Sequence, residues 1–415
     1  MNSATATATA PTTTATSGVP ATHALAGSYN LAVGYLRAFI TLLVLAHHAV
    51  LAYHPYAPPP PATMIAQPRW WQAFPVVDPQ RWSGFSLFVG FNDIFFMALM
   101  FFLSGLFVYN SLERKGVNTF LRDRLLRLGL PFVVAAAIVA PLAYYPTYLQ
   151  IPSSGGFAAF GQQWMALGNW PAGPAWFIWL LLAFDVIAAA LFALTPRFAA
   201  RLGRKTSDAS RRPIVLFALI VVLSAVAYIP LAIKFNPGYW SSFGPFSFQT
   251  SRVLHYLVYF LMAVGVGTFG SQRGLFASDG KLALRWPIWT VAMAVCFLGA
   301  AGTFIASFSA KSSPLLWQFA VDATFVLSCA ASCFGLMSLF ARFATHRIAM
   351  LDSLTDNAYG MYLIHYAFVS WLQYALLPAS LSGFVKGVIV TLGTIILSWA
   401  TTAALRRIPA VAHVI

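Results

Sequence analysis

The chain has 415 residues, of which 59% are hydrophobic and only 8% charged, with a mean hydropathy of +0.73. A soluble fold of that length could not hide so much apolar side chain, so the class is a polytopic membrane protein. Its 25 Lys and Arg against 10 Asp and Glu give a net charge of +15; in a soluble chain that would suggest nucleic acid, but here the placement of the charges accounts for it and no nucleic-acid partner is expected.

Residues 1–28 form a Thr/Ala-rich tract without Lys or Arg. The tract lacks the charged start and apolar centre of a signal peptide, and a disordered tail is expected. Ten apolar stretches follow, about 31–53, 86–110, 129–147, 172–194, 214–232, 251–270, 287–308, 316–340, 357–377 and 384–404. Most approach the roughly 20 residues that a helix needs to cross a bilayer. The expectation is an all-α bundle of about ten transmembrane helices, with a membrane domain over 29–407 and a short cytoplasmic tail over 408–415. The loops after the second, fourth, sixth and eighth stretches, with the C-terminal tail, hold 18 of the 25 basic residues. The positive-inside rule then places both termini in the cytoplasm.

The first stretch, NLAVGYLRAFITLLVLAHHAVLAY, carries Arg37 in one half and His47 and His48 in the other. At about 100° per residue, eleven steps return to within roughly 20° of the start and rise about 16 Å. Arg37, Thr41, Val44 and His48 therefore share one stripe. Ionisable groups in a membrane helix are costly and usually face a bundle interior or a wet cavity. Either residue alone fits a structural role; both on one stripe point to a functional site.

The loop from His54 to Trp82 is rich in Pro and Trp. Its prolines cannot continue a helix, and its tryptophans fit interfacial anchoring or a sugar-stacking platform. Asp93 lies about 10 Å inside the outer end of the second stretch and His48 about 8 Å inside that of the first. A carboxylate at that depth could orient the imidazole of a general base; the alternative is that Asp93 pairs with Arg252 or with backbone donors to satisfy the fold. Arg124 and Arg127, an i, i+3 pair on one helix face, could hold phosphate oxygens bidentately or simply flank a cytoplasmic helix end. Asp185 lies deep in the fourth stretch, where it could neutralise Arg37, and Asp322 lies in the eighth. His365 lies about 10–13 Å from the cytoplasmic end of the ninth. Cys296, Cys329 and Cys333 lie in apolar runs without a His or carboxylate at ligand spacing, so they are read as packing, and no metal is expected.

The order and spacing of these pieces resemble membrane acyltransferase family 3. The resemblance rests on Arg37-x10-His48, the FFLSG run at Phe101–Gly105, FLRDRLLRLGLP, WFIWLLLAFD, RVLHYLVYF at Arg252–Phe260, and YGMYLIHYAF. It implies transfer of an acyl group, acetyl or succinyl, from cytoplasmic acyl-CoA (acetyl-CoA first) to a hydroxyl of a glycan or other acceptor beyond the membrane. It also implies an essential role for Arg37 and His48 and a donor-binding role for Arg124 and Arg127. His48, Arg37 and Asp93 are thus the expected catalytic set, with His47, His365, Arg252 and Asp185 as further candidates. The cell (inner) membrane is the expected location. The sequence ends about ten residues beyond the tenth stretch, where some members carry a fused hydrolase-like domain, so the stand-alone type is expected. Leu130-Pro131 stands where Tyr-Pro is often found. A proton-coupled transporter is the competing class, since it too would place Arg, His and Asp inside a bundle.

Overall fold

The computed structural model describes residues 30–152, 154–195, 212–269, 274–309 and 314–415. The Thr/Ala tract and the basic loop around Arg204 lie outside the described residues.

Helix α1 (Leu31–Val50) starts where the Asn30 side chain accepts a hydrogen bond from the Val33 amide, at 3.2 Å, satisfying one of the free N–H groups of the first turn. Around it run α2 (Phe85–Gly105), α3 (Val108–Lys115), α4 (Val117–Leu149), α5 (Phe157–Ala166), α6 (Trp176–Leu194) and α7 (Pro213–Phe235). Then come α8 (Val253–Val266), α9 (Lys281–Leu284), α10 (Trp286–Ser309), α11 (Pro314–Phe343), α12 (Ala349–Ala375), α13 (Gly383–Leu405) and α14 (Pro409–Ala412). Helix α1 packs on α2, α11, α12 and α13. That central place is why it buries even Tyr35, Thr41 and His47. Helix α10 packs mainly on α11 and leaves most of its apolar side chains outward, as lipid-facing positions require.

A helix stands at each of the ten predicted stretches, so the chain folds as an all-α polytopic bundle. Among the described residues, eight helices are long and apolar enough to cross a membrane. The sixth and ninth stretches depart from the expectation. Helix α8 has only 14 residues, and its last turn tightens into a 3-10 turn at Gly267–Phe269. Helix α12 has 27 residues and begins at Ala349, eight positions before the predicted edge, because the polar segment MLDSLTDN continues the helix. Helices α2 and α8 approach backbone to backbone. A Cβ on Gly105 would stand 2.4 Å from the Phe260 carbonyl oxygen, and one on Gly267 2.0 Å from that of Leu106.

Helix α4 contains two π turns, Leu125–Gly129 and Ala135–Val139, the kind of local widening often found at functional sites. A small antiparallel hairpin, β1 (Trp240–Phe243) with β2 (Phe246–Gln249), precedes α8 and was not expected from the sequence. Trp179 Nε1 donates to the Ser247 carbonyl at 3.0 Å and ties the hairpin to α6.

The Pro/Trp loop folds over one end of the bundle. Trp71 is buried, with Nε1 donating to the Met64 carbonyl at 3.1 Å, whereas Trp70 and Trp82 are exposed. Interfacial anchoring thus fits Trp70 and Trp82, while Trp71 is core. Arg81 donates to the carbonyls of His54 and Ala57 at 2.8 and 2.9 Å; partial burial, then the nearby Arg81 cation, lower the pKa of His54. Asp78 and Lys386, both fully buried, pair at 2.7 Å and join the loop to α13. Asp78 also accepts from the Gln80 amide at 2.7 Å, and its own amide donates to the Ala52 carbonyl at 3.1 Å.

Candidate active site

His48 is partly buried in the last full turn of α1. Its Nδ1 lies 2.8 Å from the Val44 carbonyl oxygen. A carbonyl only accepts, so Nδ1 carries the proton and Nε2 keeps its lone pair. Among the described residues that Nε2 makes no hydrogen bond. The orientation of the ring thus comes from its own helix, one turn back.

The neighbour of His48 is His365, on α12. His365 Nδ1 lies 2.7 Å from the Tyr362 carbonyl, so it too carries its proton on Nδ1. Its Nε2 stands 3.4 Å from His48 Nδ1, placed to accept a second, weaker branch of that N–H. Tyr366 packs edge-on against the His48 ring, with centroids 5.3 Å apart. Gln373 Nε2 donates to the carbonyls of His48 and Ala49, each at 3.0 Å, and fastens α12 to the end of α1. His47 turns away, packing against Phe96 at 5.1 Å. That divergence is the step of about 100° between adjacent helical residues.

The expected depth of His365 is corrected by these contacts. It lies 16 residues, or about 24 Å, from the start of α12, and meets His48 near the loop-covered end. The sequence misplaced it because it started the helix too late.

Asp93 does not reach His48. Its carboxylate oxygen Oδ2 accepts from Arg252 Nη2 at 2.8 Å, and its carbonyl accepts from Arg252 Nη1 at 3.0 Å. The cause is the close approach of α2 and α8, which carries Arg252 at the start of α8 onto the α2 face that bears Asp93. The Arg252 guanidinium also lies over the Phe325 ring, 4.7 Å from its centroid. The Asp93 side chain is half exposed, that of Arg252 buried.

Nor does Asp185 neutralise Arg37. It is buried in α6, and Arg124 Nε lies 3.2 Å from its Oδ2. Arg37 is exposed on α1, about 16 Å along the axis from His48, and its carbonyl accepts from Thr41 Oγ1 at 3.0 Å.

Arg124 and Arg127 differ in exposure. Arg124 is partly buried and lies over Phe120, 5.0 Å from the ring centroid, as well as against Asp185. Arg127 is exposed, and its carbonyl accepts from Tyr359 Oη at 2.5 Å. The π turn that begins at Leu125 widens the helix between them, so α-helical i, i+3 geometry does not apply there. Helix α12 links the two regions: Tyr359 touches the arginine turn, and six residues on, about 9 Å, His365 touches His48.

Sequence reasoning missed three features. The His48–His365 contact was open to discovery through YGMYLIHYAF, had the helix start been set correctly. The Asp78–Lys386 pair offered only two isolated charges in unrelated segments. His255, in RVLHYLVYF, lies on α8 with Nε2 3.4 Å from Cys329 Sγ. The sequence could not show that α8 and α11 meet there. Among the described residues no group of three metal-ligating side chains is found.

Residues 30–403 match the family model described as an acyltransferase domain, of the membrane acyltransferase 3 type. No curated protein and no solved structure matches the chain.

Proposed function

The chain belongs to membrane acyltransferase family 3, and from that premise we propose that it moves an acetyl or succinyl group from cytoplasmic acyl-CoA to a hydroxyl of a glycan or similar acceptor beyond the cell (inner) membrane. The observation that carries this reading is the His48 ring, with Nδ1 held by Val44 and Nε2 left open. Nε2 takes the proton of the acceptor hydroxyl as its oxygen bonds to the thioester carbonyl carbon. The C–S bond then breaks, and the departing CoA sulfur receives that proton. The Val44 carbonyl fills the orienting role first considered for Asp93, and His365 accepts from the same Nδ1–H as the imidazolium forms. Arg124 and Arg127 hold CoA phosphates, with Asp185 as the partner Arg124 exchanges for them; Arg37 supports the polar end of the donor. A short piece of α12, from Tyr359 to His365, spans the two ends of that path.

Both termini and the basic loops are cytoplasmic in this reading, supported by the uneven spread of Lys and Arg. Cysteine labelling of intact cells tests it. Asn118→Cys should resist an impermeant reagent and Ala62→Cys should react; the reverse pattern overturns the donor side. The activity itself is tested with membranes given labelled acyl-CoA, together with mass spectrometry of glycans and lipids with and without the gene. A mass difference of one acyl group supports the reading and identifies the acceptor. Proton-coupled uptake with no acylated product would favour a transporter instead.

A further inference from the structure

Helix α1 stops being α-helical just past His48. The Leu51 amide bonds back to the His48 carbonyl, and Leu51–Tyr53 continues as a 3-10 turn. The last carbonyls of a helix need partners from outside it, and here Gln373 of α12 supplies two hydrogen bonds. Its Nε2 lies 3.0 Å from the carbonyl oxygens of both His48 and Ala49. An amide nitrogen has two hydrogens, so its donor capacity is spent on consecutive peptide groups. Two carbonyl partners also fix which amide atom faces α1, since an oxygen there would meet two acceptors. Gln373 is buried, and among the described residues its Oε1 has no hydrogen-bond partner. Burying an unpaired acceptor is unfavourable, and a methionine would fill an apolar seam without that cost. What the amide adds is a grip on the backbone of the residue whose ring is open.

Helices α1 and α12 run parallel. Tyr35 Oη, near the start of α1, donates to Asp352 Oδ1 and accepts from the Ile348 amide, both at 2.9 Å. That end of the seam is thus fastened separately from the His48 end. At the His48 end α12 touches the residue at two heights. His365 and Tyr366 meet the imidazole. Seven residues beyond Tyr366, about 10 Å along α12 and within roughly 20° of the same face, Gln373 meets the backbone. The Val44 carbonyl orients the ring relative to α1 alone, which leaves open where α1 sits against α12. The two bonds from Gln373 set that.

We propose that Gln373 is a positioning residue for acyl transfer, setting the height of His48 against His365 and Tyr366 so that Nε2 meets the acceptor hydroxyl. The proposal rests on the acyltransferase reading given above, with His48 as its base. In this role Gln373 acts through the backbone of His48 and touches neither reactant. A misplacement of about 1 Å can cost about 10²-fold in rate. Removing both bonds frees the 3-10 end of α1 to shift against α12.

The test uses the full-length protein in membranes with acetyl- or succinyl-CoA, whichever the wild type uses, labelled in the acyl group. Label is recovered in the washed glycan and lipid fractions, and rates are compared per folded molecule, read as a monodisperse peak in detergent. Gln373→Met keeps the bulk and removes both donors. Its kcat should fall about 10–10²-fold, while KM for acyl-CoA stays within about two-fold, the pattern of an interaction needed only in the transition state. Trp371→Phe is the control for fastening alone. Trp371 Nε1 ties α12 to α4 through the Leu142 carbonyl at 3.0 Å, and its loss should leave kcat within about two-fold. Gln373→Glu is nearly isosteric and serves where the methionine variant fails to fold. Ionised, the carboxylate offers no donor; protonated, it offers one, so transfer relative to wild type should rise as pH falls. A near-normal kcat in folded Gln373→Met, a raised KM with kcat unchanged, or an equal loss in Trp371→Phe overturns the proposal while acyl transfer stands. Failure of both Gln373 variants to fold would mark a structural fastener and overturn it too. Absence of labelled product from the wild type with either donor instead removes the acyltransferase reading, and the placement of Gln373 with it.

Discussion

Two seams of the bundle place titratable groups in apolar surroundings, and they end in opposite conditions. At the α2/α8 seam the Arg252 guanidinium gives two hydrogen bonds to Asp93 and rests on Phe325. At the α1/α12 seam His48 and His365 each hold one ring nitrogen against a backbone carbonyl one turn back and touch one another, with His48 Nε2 left open among the described residues. Depth in the membrane and residue type made both seams candidates. What separates them is the bonding capacity that remains after folding. Arg252 is engaged on Asp93 and on an aromatic face; among the described residues His48 Nε2 has no hydrogen bond.

The largest expected effect is on the open seam. His48→Ala should lower acyl transfer by about 10²–10⁴-fold or more, the range of a general base, with the protein still folded. Near-normal transfer in a well-expressed variant would end the catalytic assignment and make the two seams equivalent.

A saturated pair should instead show itself in stability. Lys386→Met leaves Asp78 buried without its cation, and removing one partner of a buried pair costs about 3–5 kcal/mol. Thermal unfolding in detergent should show a marked loss, and Asp78→Leu/Lys386→Met should recover much of it. Arg252→Met should cost less, about 1–3 kcal/mol, since Asp93 is half exposed and water can replace part of the loss. The surviving folded fraction should transfer acyl groups within a few-fold of the wild type. A stable Arg252→Met with turnover as low as His48→Ala would show that the ion pair acts in the reaction.

Donor binding comes next. Arg127→Ala and Arg124→Ala should each weaken acyl-CoA affinity by about 1.5–3 kcal/mol, the worth of a hydrogen bond to a charged group. Arg124 should show the smaller loss, because it must leave Asp185 to bind phosphate. Equilibrium binding of labelled acyl-CoA to the purified protein measures both, and unchanged affinity in both variants would return the motif to helix-end arginines. The smallest effect belongs to His47→Ala. His47 packs on Phe96, turned from His48, and most transfer activity should remain; a loss equal to that of His48→Ala would mean the pair acts as one unit.

The fold was legible because apolar length is a strong signal, and each of the ten stretches became a helix. Its polar edges were not. MLDSLTDN lowers the local hydropathy yet extends α12, and this moved His365 by two turns and concealed its contact with His48. Pairing of Asp93, Asp185 and Arg252 depends on which helices become neighbours, and one sequence does not state that. Adjacent stretches were expected to pair. Helices α1 and α2 do pack together, and the close approach allowed by Gly105 and Gly267 brings α8 onto α2 as well. The π turns were equally hidden, since nothing in LLRLG or AAAIV differs in composition from an α turn.

Those π turns bear on how the chain can change in length. A π turn closes its hydrogen bond over five residues where an α turn uses four, so each holds one residue beyond what the same rise of α-helix needs. Deleting a single residue within Ala135–Val139 can therefore return that turn to α geometry while Phe132 on one side and Tyr144 on the other keep their facing. A one-residue gap that would rotate half of any other helix in the bundle is here absorbed on the spot.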